Sequence, residues 1–434
     1  MSNAFGSWRK FSWLAVVAVG CAAQTAWAQE TMSLSQAQRL AVGRALQLTA
    51  QNAVFSATRE MAVAAAQLPD PVLKLGVENL PITGPDTFNF TRDFMTMRRI
   101  GIAQEFPREE KRKLKSERLE RDSERLVAQR RVTVAAVQRD TALAWVDRHY
   151  AQAMRTLLVQ QQQETALQVQ AAETAFGTGR GSQADVFAAR AALALLADRM
   201  GLVDRQLRTA SLQLSRWIGS AAEQAPVGQP PWKNSALAQA IFPNGVDSAL
   251  ADHIKDHPQL AVLAAQLQAT QVDASLSEAN KVADWSVEAS FSQRGPEFSN
   301  MISLVFSVPI QWDRAKRQDR EVAAKLALVA EAQALHDDML RSHEAELRIL
   351  HNDWQNGKER VARYAAQLLP LAHQRSEAAL AVYRSGKGDL ASVLAARRDE
   401  IEMRLQAIAV EAETARLWAQ LEFSVPDPAT EARP

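Results

Sequence analysis

The sequence predicts a mainly α-helical, internally duplicated chain in which each half carries one β-hairpin of membrane-strand length. Three observations lead there. The order helix, hairpin, very long helix, glycine turn, helix occurs twice. Both hairpins alternate apolar with polar or small residues at a period of two. The segment "FGTGRGSQADVFAAR" (Phe176 to Arg190) returns about 207 residues later as "YRSGKGDLASVLAAR" (Tyr383 to Arg397). A duplication has to be recognised before a fold is chosen.

Residues 1–28 read as a secretory signal peptide. Arg9 and Lys10 precede the apolar run "FSWLAVVAVGC", and small residues follow at Ala26 and Ala28. The run is too short to span a bilayer as a helix. Cleavage after Ala28 starts the mature chain at Gln29. Cys21 is the only cysteine. Gly20 before it fits a lipid attachment site, but Ala18 stands where a bulky aliphatic residue belongs, so Cys21 is read as discarded with the signal. Either way, no disulfide or cysteine metal site is expected in the mature fold.

Without residues 1–28 the chain keeps 48 basic and 49 acidic side chains. This balance argues against a nucleic-acid partner. A composition rich in Ala, Gln, Arg, Leu and Glu, with only 3 tyrosines, suits long helices. No later segment is apolar and long enough for a membrane-spanning helix.

The first repeat spans 29–218. A helix from Leu34 to Gln67 ends at "LPDP", because proline disfavours helix at itself and at the preceding residue. Strands follow at about 72–79 and 98–106. Leu73, Leu75 and Val77 alternate with Lys74, Gly76 and Glu78; Ile100, Ile102 and Phe106 alternate with Arg99, Gly101, Ala103 and Glu105. A helix over 108–176 has no internal proline or glycine and would run roughly 100 Å. A tip turn at 177–182 leads to a helix over 183–217, whose seam is Leu193, Leu196, Met200, Val203, Leu207, Ala210, Leu214 and Trp217.

Residues 219–246, rich in Pro, Gly and Ala, form a linker. The second repeat, 247–423, opens with a helix broken near Pro258. Its strands at about 285–293 and 301–310 place Trp285, Val287, Ala289, Phe291, Ile302, Leu304, Phe306, Val308 and Ile310 on apolar positions. A long helix over 313–384, interrupted by Gly357 and Pro370, precedes a tip turn at 385–389. The final helix covers 390–422 with Ile401, Leu405, Ile408, Ala412 and Ala415 on one seam. The tail 424–434 reads as disordered.

Strands of eight to ten residues match the length of transmembrane strands. In lipid a sheet must close, since its edges find no partner there. Four strands are too few for a barrel, so such a chain would share one with other chains. Trp285 opens the third strand and Trp312 follows the fourth, at the same end. That suits an aromatic girdle; the alternative is ordinary anchoring aromatics of a soluble sheet.

The segments "LPDPVLKLGVENLP", "RIGIAQEFPREEKRK" and "SLVFSVPIQWDRAKR", with the two glycine turns, resemble the TolC-type outer-membrane efflux family over nearly the whole mature chain. The basic stretches after the strands, Arg108 to Lys115 and Arg314 to Arg320, resemble its heavy-metal cation branch. The resemblance implies a homotrimer with a twelve-stranded β-barrel in outer-membrane lipid, continued by a long α-helical barrel in the periplasm. It implies a passive exit duct working with a periplasmic adaptor and an inner-membrane RND pump, and no cofactor. Residues 219–246 and the tail would form a belt.

The turns would be the periplasmic tip, gating the tunnel and docking the adaptor: Gly179, Gly181, Asp185, Tyr383, Gly386, Lys387, Gly388 and Asp389. In the family an aspartate of the first turn bonds a tyrosine and a basic residue of the second. Asp185 and Tyr383 match two of these positions. The basic position falls on Gly388, one residue from Lys387. Asp185 read by itself equally suits a helix cap. The family's acidic ring would fall on Ser392 and Ala395 and is absent here, with Asp389 no more than a candidate stand-in.

Other chemistry is thin. His253 and His257, flanked by Asp252 and Asp256, have the four-residue spacing of a metal pair, yet two ligands are not a site. His336, His343 and His351 on the long helix read as solvated. Met95 and Met97 could serve copper(I) or simply pack. No nucleophile–base grouping, phosphate loop or carboxylate pair appears, so no enzyme is expected. The rival class is a soluble periplasmic coiled-coil adaptor whose strands form a small domain.

Overall fold

The computed structural model describes residues 31–243, 250–255 and 257–426. The signal peptide, Cys21, Asp256 and most of the tail lie outside the described residues.

The chain is built around rods. Helix α3 (Glu109–Gly177) and helix α4 (Gln183–Ile218) form one antiparallel pair. Helices α8 (Gln318–Arg363), α9 (Leu369–Arg384) and α10 (Leu390–Glu422) form the other. Helix α2 (Leu46–Ala65) packs along α3, and α7 (Pro258–Ala279) lies against both α3 and α8. Narrow seams hold the rods together: Leu158, Val203, Ile401 and Leu405 meet in one buried cluster.

At one end stands a four-stranded antiparallel sheet in the order β2 (Val72–Glu78), β3 (Met97–Phe106), β5 (Trp285–Gln293), β6 (Met301–Ser307). The two hairpins are joined by β3 and β5, with Ile100 opposite Phe291 and Ile102 opposite Ala289. Midway along the rods is the main core. There β1 (Thr31–Met32) pairs in parallel with β4 (Ala225–Pro226), and the linker, with its short helix α5 (Ala236–Ile241), packs Trp232, Ile241 and Phe242 against Trp145, Trp354 and Trp418. Two buried indoles are satisfied by backbone: Trp145 donates to the Met32 carbonyl (3.1 Å) and Trp354 to that of Trp232 (2.8 Å).

The structure departs from the sequence reading in five places. The first helix is two, α1 (Leu34–Arg44) and α2, bent at Ala45 (ψ 95°). Strand β6 stops at Ser307 instead of 310, because Pro309 has no N–H for the ladder. Turns over 312–317 then delay helix α8 to Gln318. Gly357 does not interrupt α8; it lets α10 approach so closely that a Cβ there would lie 2.6 Å from Thr414 Oγ1. Pro370 is absorbed by a π-turn at Tyr364–Leu368, which rearranges the carbonyls the proline cannot serve.

Candidate functional site

The two glycine turns lie side by side at the end of the rods opposite the sheet. Ala172, Val186, Ala189, Leu390 and Val393 form one apolar cluster across both, with Tyr383 packed against it. The turns are built alike. Gly179 and Gly386 take φ of 72° and 74°, the left-handed region that suits glycine. The next amide, Arg180 or Lys387, donates back to Ala175 O (2.9 Å) or Val382 O (3.2 Å). Gly181 and Gly388 serve close approach instead: a Cβ would sit 3.1 Å from the Ala175 Cβ in one turn and 3.0 Å from Val382 Cγ1 in the other.

Each following helix is capped, with the two cap residues exchanged. In the first turn Ser182 is the N-cap. Its Oγ accepts from Asp185 N (3.1 Å), and Asp185 Oδ2 accepts from Ser182 N (3.0 Å) and Oγ (2.7 Å). In the second, Asp389 is the N-cap and its Oδ1 accepts from Ser392 N (2.6 Å). The Ser392 hydroxyl first, and then this amide, hold the Asp389 carboxyl below its ordinary range. So Asp185 closes a capping box from the third helical position, which corrects the view of it as the cap itself. Asp389, the stand-in for an acidic ring, is committed to capping. Below the turns, Glu400 is buried and receives Arg404 (2.6 Å), Arg397 (3.0 Å) and His373 Nδ1 (3.1 Å). Nothing in the sequence marked this carboxylate, because its partners come from both α9 and its own helix.

At the sheet end, the ladder register puts Leu73, Leu75, Ile100, Ile102, Phe291, Ile302, Leu304 and Phe306 on one face. That face is bare: Leu75, Ile302 and Phe306 are each more than 70% exposed. The opposite face is polar and tightly curled. Ser290 and Ser292 are buried there, and Gly101 leaves no room for a Cβ beside Ser290. Across it runs an ion-pair chain. Lys74 meets Glu288 at 2.6 Å, Glu288 meets Arg99 at 2.6 Å, and Arg99 meets Glu78 at 2.6 Å. Strands β2, β3 and β5 are thereby braced with no net charge.

Trp285 stacks on Phe106 at 4.4 Å, and Trp312 is 90% exposed beyond β6, both at the helix-joined end. At the far end Phe88, Phe90 and Phe94 are exposed in the β2–β3 loop, aromatics that period-two reasoning passed over because they lie outside the strands. Met95 is in this loop and Met97 begins β3.

The histidines are rearranged relative to the sequence reading. His253 lies in α6 (Leu250–Lys255), whereas His257 is the N-cap of α7, so the pair does not share a helical face. His343, read as solvated, is buried, its ring 3.8 Å from that of His257. Among the described residues no group of three or more His, Cys, Asp or Glu is arranged to hold a metal.

No protein-family model matches the sequence, and no curated protein resembles it. Solved structures do. The outer-membrane channel OprN superposes with a TM-score of 0.74 at 17% identity, over 90% of this chain and 89% of that one. CusC, a protein described as forming a transmembrane channel, gives 0.73 at 13% identity over 90% and 91%. The Campylobacter jejuni CmeC outer membrane channel gives 0.72 at 13% over 92% and 90%. The fold of this chain is that of the TolC-type outer-membrane channels.

Proposed function

We propose that the chain is the outer-membrane exit duct of a tripartite efflux system, conducting solutes passively from periplasm to exterior. The observation that carries this reading is the sheet: one face bare and apolar, the other polar and braced by ion pairs, with the outer edges of β2 and β6 unpaired among the described residues. In water an open edge beside a bare apolar face invites aggregation. In a bilayer, copies joined edge to edge satisfy every backbone group, put the apolar face against lipid and line a polar lumen. Three copies would give twelve strands, with the paired rods continuing as a helical tunnel. Trp285 and Trp312 would anchor the periplasmic interface.

The glycine turns would form the tunnel's closed tip and meet a periplasmic adaptor, with energy coming from an inner-membrane RND pump. Asp185 and Tyr383 would form a latch across the resting tip. The resemblance of Arg108–Lys115 and Arg314–Arg320 to the metal-exporting branch favours heavy-metal cations over organic drugs as cargo. The test is fractionation with conductance. Heat-modifiable trimers in the outer membrane that conduct in planar bilayers support the duct. A soluble monomer that does not conduct rejects it in favour of a coiled-coil adaptor. Asp185→Ala with Tyr383→Phe raises conductance if the latch exists, and unchanged conductance removes it.

A further inference from the structure

The apex of the rods carries cations that no carboxylate answers. Arg180 and Lys387 hold the same position in the two turns, immediately after the positive-φ glycines. Both are exposed, as is Arg384 in the last turn of α9. Among the described residues none of the three has an ion-pair partner; the Arg180 Nε makes only a long contact with Thr178 Oγ1 (3.4 Å). The carboxylates nearby are occupied. Asp185 and Asp389 are held by helix caps, and Glu173 pairs with Arg190 at 2.6 Å. Phe176 and Phe187 flank these cations, about half exposed.

We propose that this apex is a docking surface for an acidic protein tip: a helical partner whose end presents carboxylates to Arg180, Arg384 and Lys387 and an apolar rim to the two phenylalanines. The inference rests on the exit-duct reading for its setting and names the charge of the partner in that reading. Three unpaired cations per chain, repeated by symmetry, set a field that draws an acidic partner and turns away a basic one. Because the groups are exposed, salt screens the attraction: the Debye length falls below about 10 Å above 0.1 M. The duplication explains why both turns kept a cation at this position while the caps exchanged their serine and aspartate. The cap needs one acceptor at either place, whereas the apex charge faces outward.

The test uses the full chain purified in detergent and a synthetic antiparallel helical hairpin with four glutamates at its tip, compared with glutamine-tipped and lysine-tipped versions. Binding to the glutamate tip should exceed that to the glutamine tip by about tenfold or more at low salt, and should fall steeply between low and physiological ionic strength. Arg180→Glu with Lys387→Glu should reverse the preference toward the lysine tip. Equal binding of glutamate and glutamine tips, or no reversal in the charge-swapped chain, overturns the proposal. So does charge-dependent binding to phosphatidylglycerol vesicles without hairpin binding, which would make the apex a membrane contact. Conductance of the same preparations in planar bilayers separates the two readings: absence of current defeats the duct while leaving the tip result standing, and intact current with no tip preference does the reverse.

Discussion

Acidification should loosen the junction where helix α7 begins. His257 Nδ1 accepts the Gln259 amide (3.3 Å) as the N-cap of α7, so its Nε2 carries the proton and donates to the Ser424 carbonyl (3.0 Å). A second proton would have to go on Nδ1, which would turn the cap from acceptor to donor against an N–H. It would also place a charge beside the positive end of the helix. The groups facing it are unhelpful: the His343 ring at 3.8 Å, His253 and Arg131, all cationic or neutral, with Glu346 paired to the far side of His343 at 3.4 Å. Burial is the largest cause, and the His257 pKa falls from 6.5 to about 3. The sign follows. An opened junction protonates below pH 6.5 and the closed one does not, so stability is complete above that pH, declines as pH falls, and levels off near 3. At pH 5 the difference is roughly one and a half decades of protonation, about 2 kcal/mol per chain. Burial lowers the His343 pKa as well and adds in the same direction. The assay is hydrogen exchange of the first turn of α7, read by mass spectrometry and corrected for intrinsic rates. His257→Asn keeps a good N-cap without a titrating group. The wild type should lose about 2 kcal/mol of opening free energy between pH 7.5 and 5, and the variant less than about half of that. Equal slopes in the two proteins would refute the reasoning.

Further outcomes test the packing and the polar face. Gly179→Ala and Gly386→Ala each force a side chain into positive φ and should cost about 1 kcal/mol in thermal unfolding, whereas Gly177→Ala, with open space and no such φ, should not. Gly357→Ala should cost about 1–3 kcal/mol by pressing on Thr414, and adding Thr414→Ala should return part of it. Glu288→Gln strips the carboxylate shared by Lys74 and Arg99 and makes the polar face more positive by one charge. If that face lines a pore, reversal potentials in asymmetric salt should move toward anions, and no movement would place the ion-pair chain outside the conduction path.

What the sequence disclosed was what each segment decides locally. Alternation of Leu73, Leu75 and Val77 with Lys74, Gly76 and Glu78 identifies a two-faced strand without knowing its neighbours, and the uninterrupted run after Arg108 identifies a rod. What it concealed depends on meetings between distant segments. The burial of His343 requires α8 to pass the start of α7, 86 positions back at His257, and no period along α8 predicts that. Gly357 looks like a helix breaker until Thr414 is found against it. Pro370 looks like a stop until the π-turn before it is seen.

The tip shows a subtler failure. Aligned by letter, Asp185 falls opposite Ser392 and Ser182 opposite Asp389, so the repeats seem to have lost and gained a charge. Aligned by hydrogen bonds, they are the same cap with acceptor and partner exchanged across one helical turn. A carboxylate bound this way is a poor candidate for a free acidic ring in either repeat. The charge left to the apex is therefore the one the letters do conserve between repeats, the cation at Arg180 and Lys387, and it is positive.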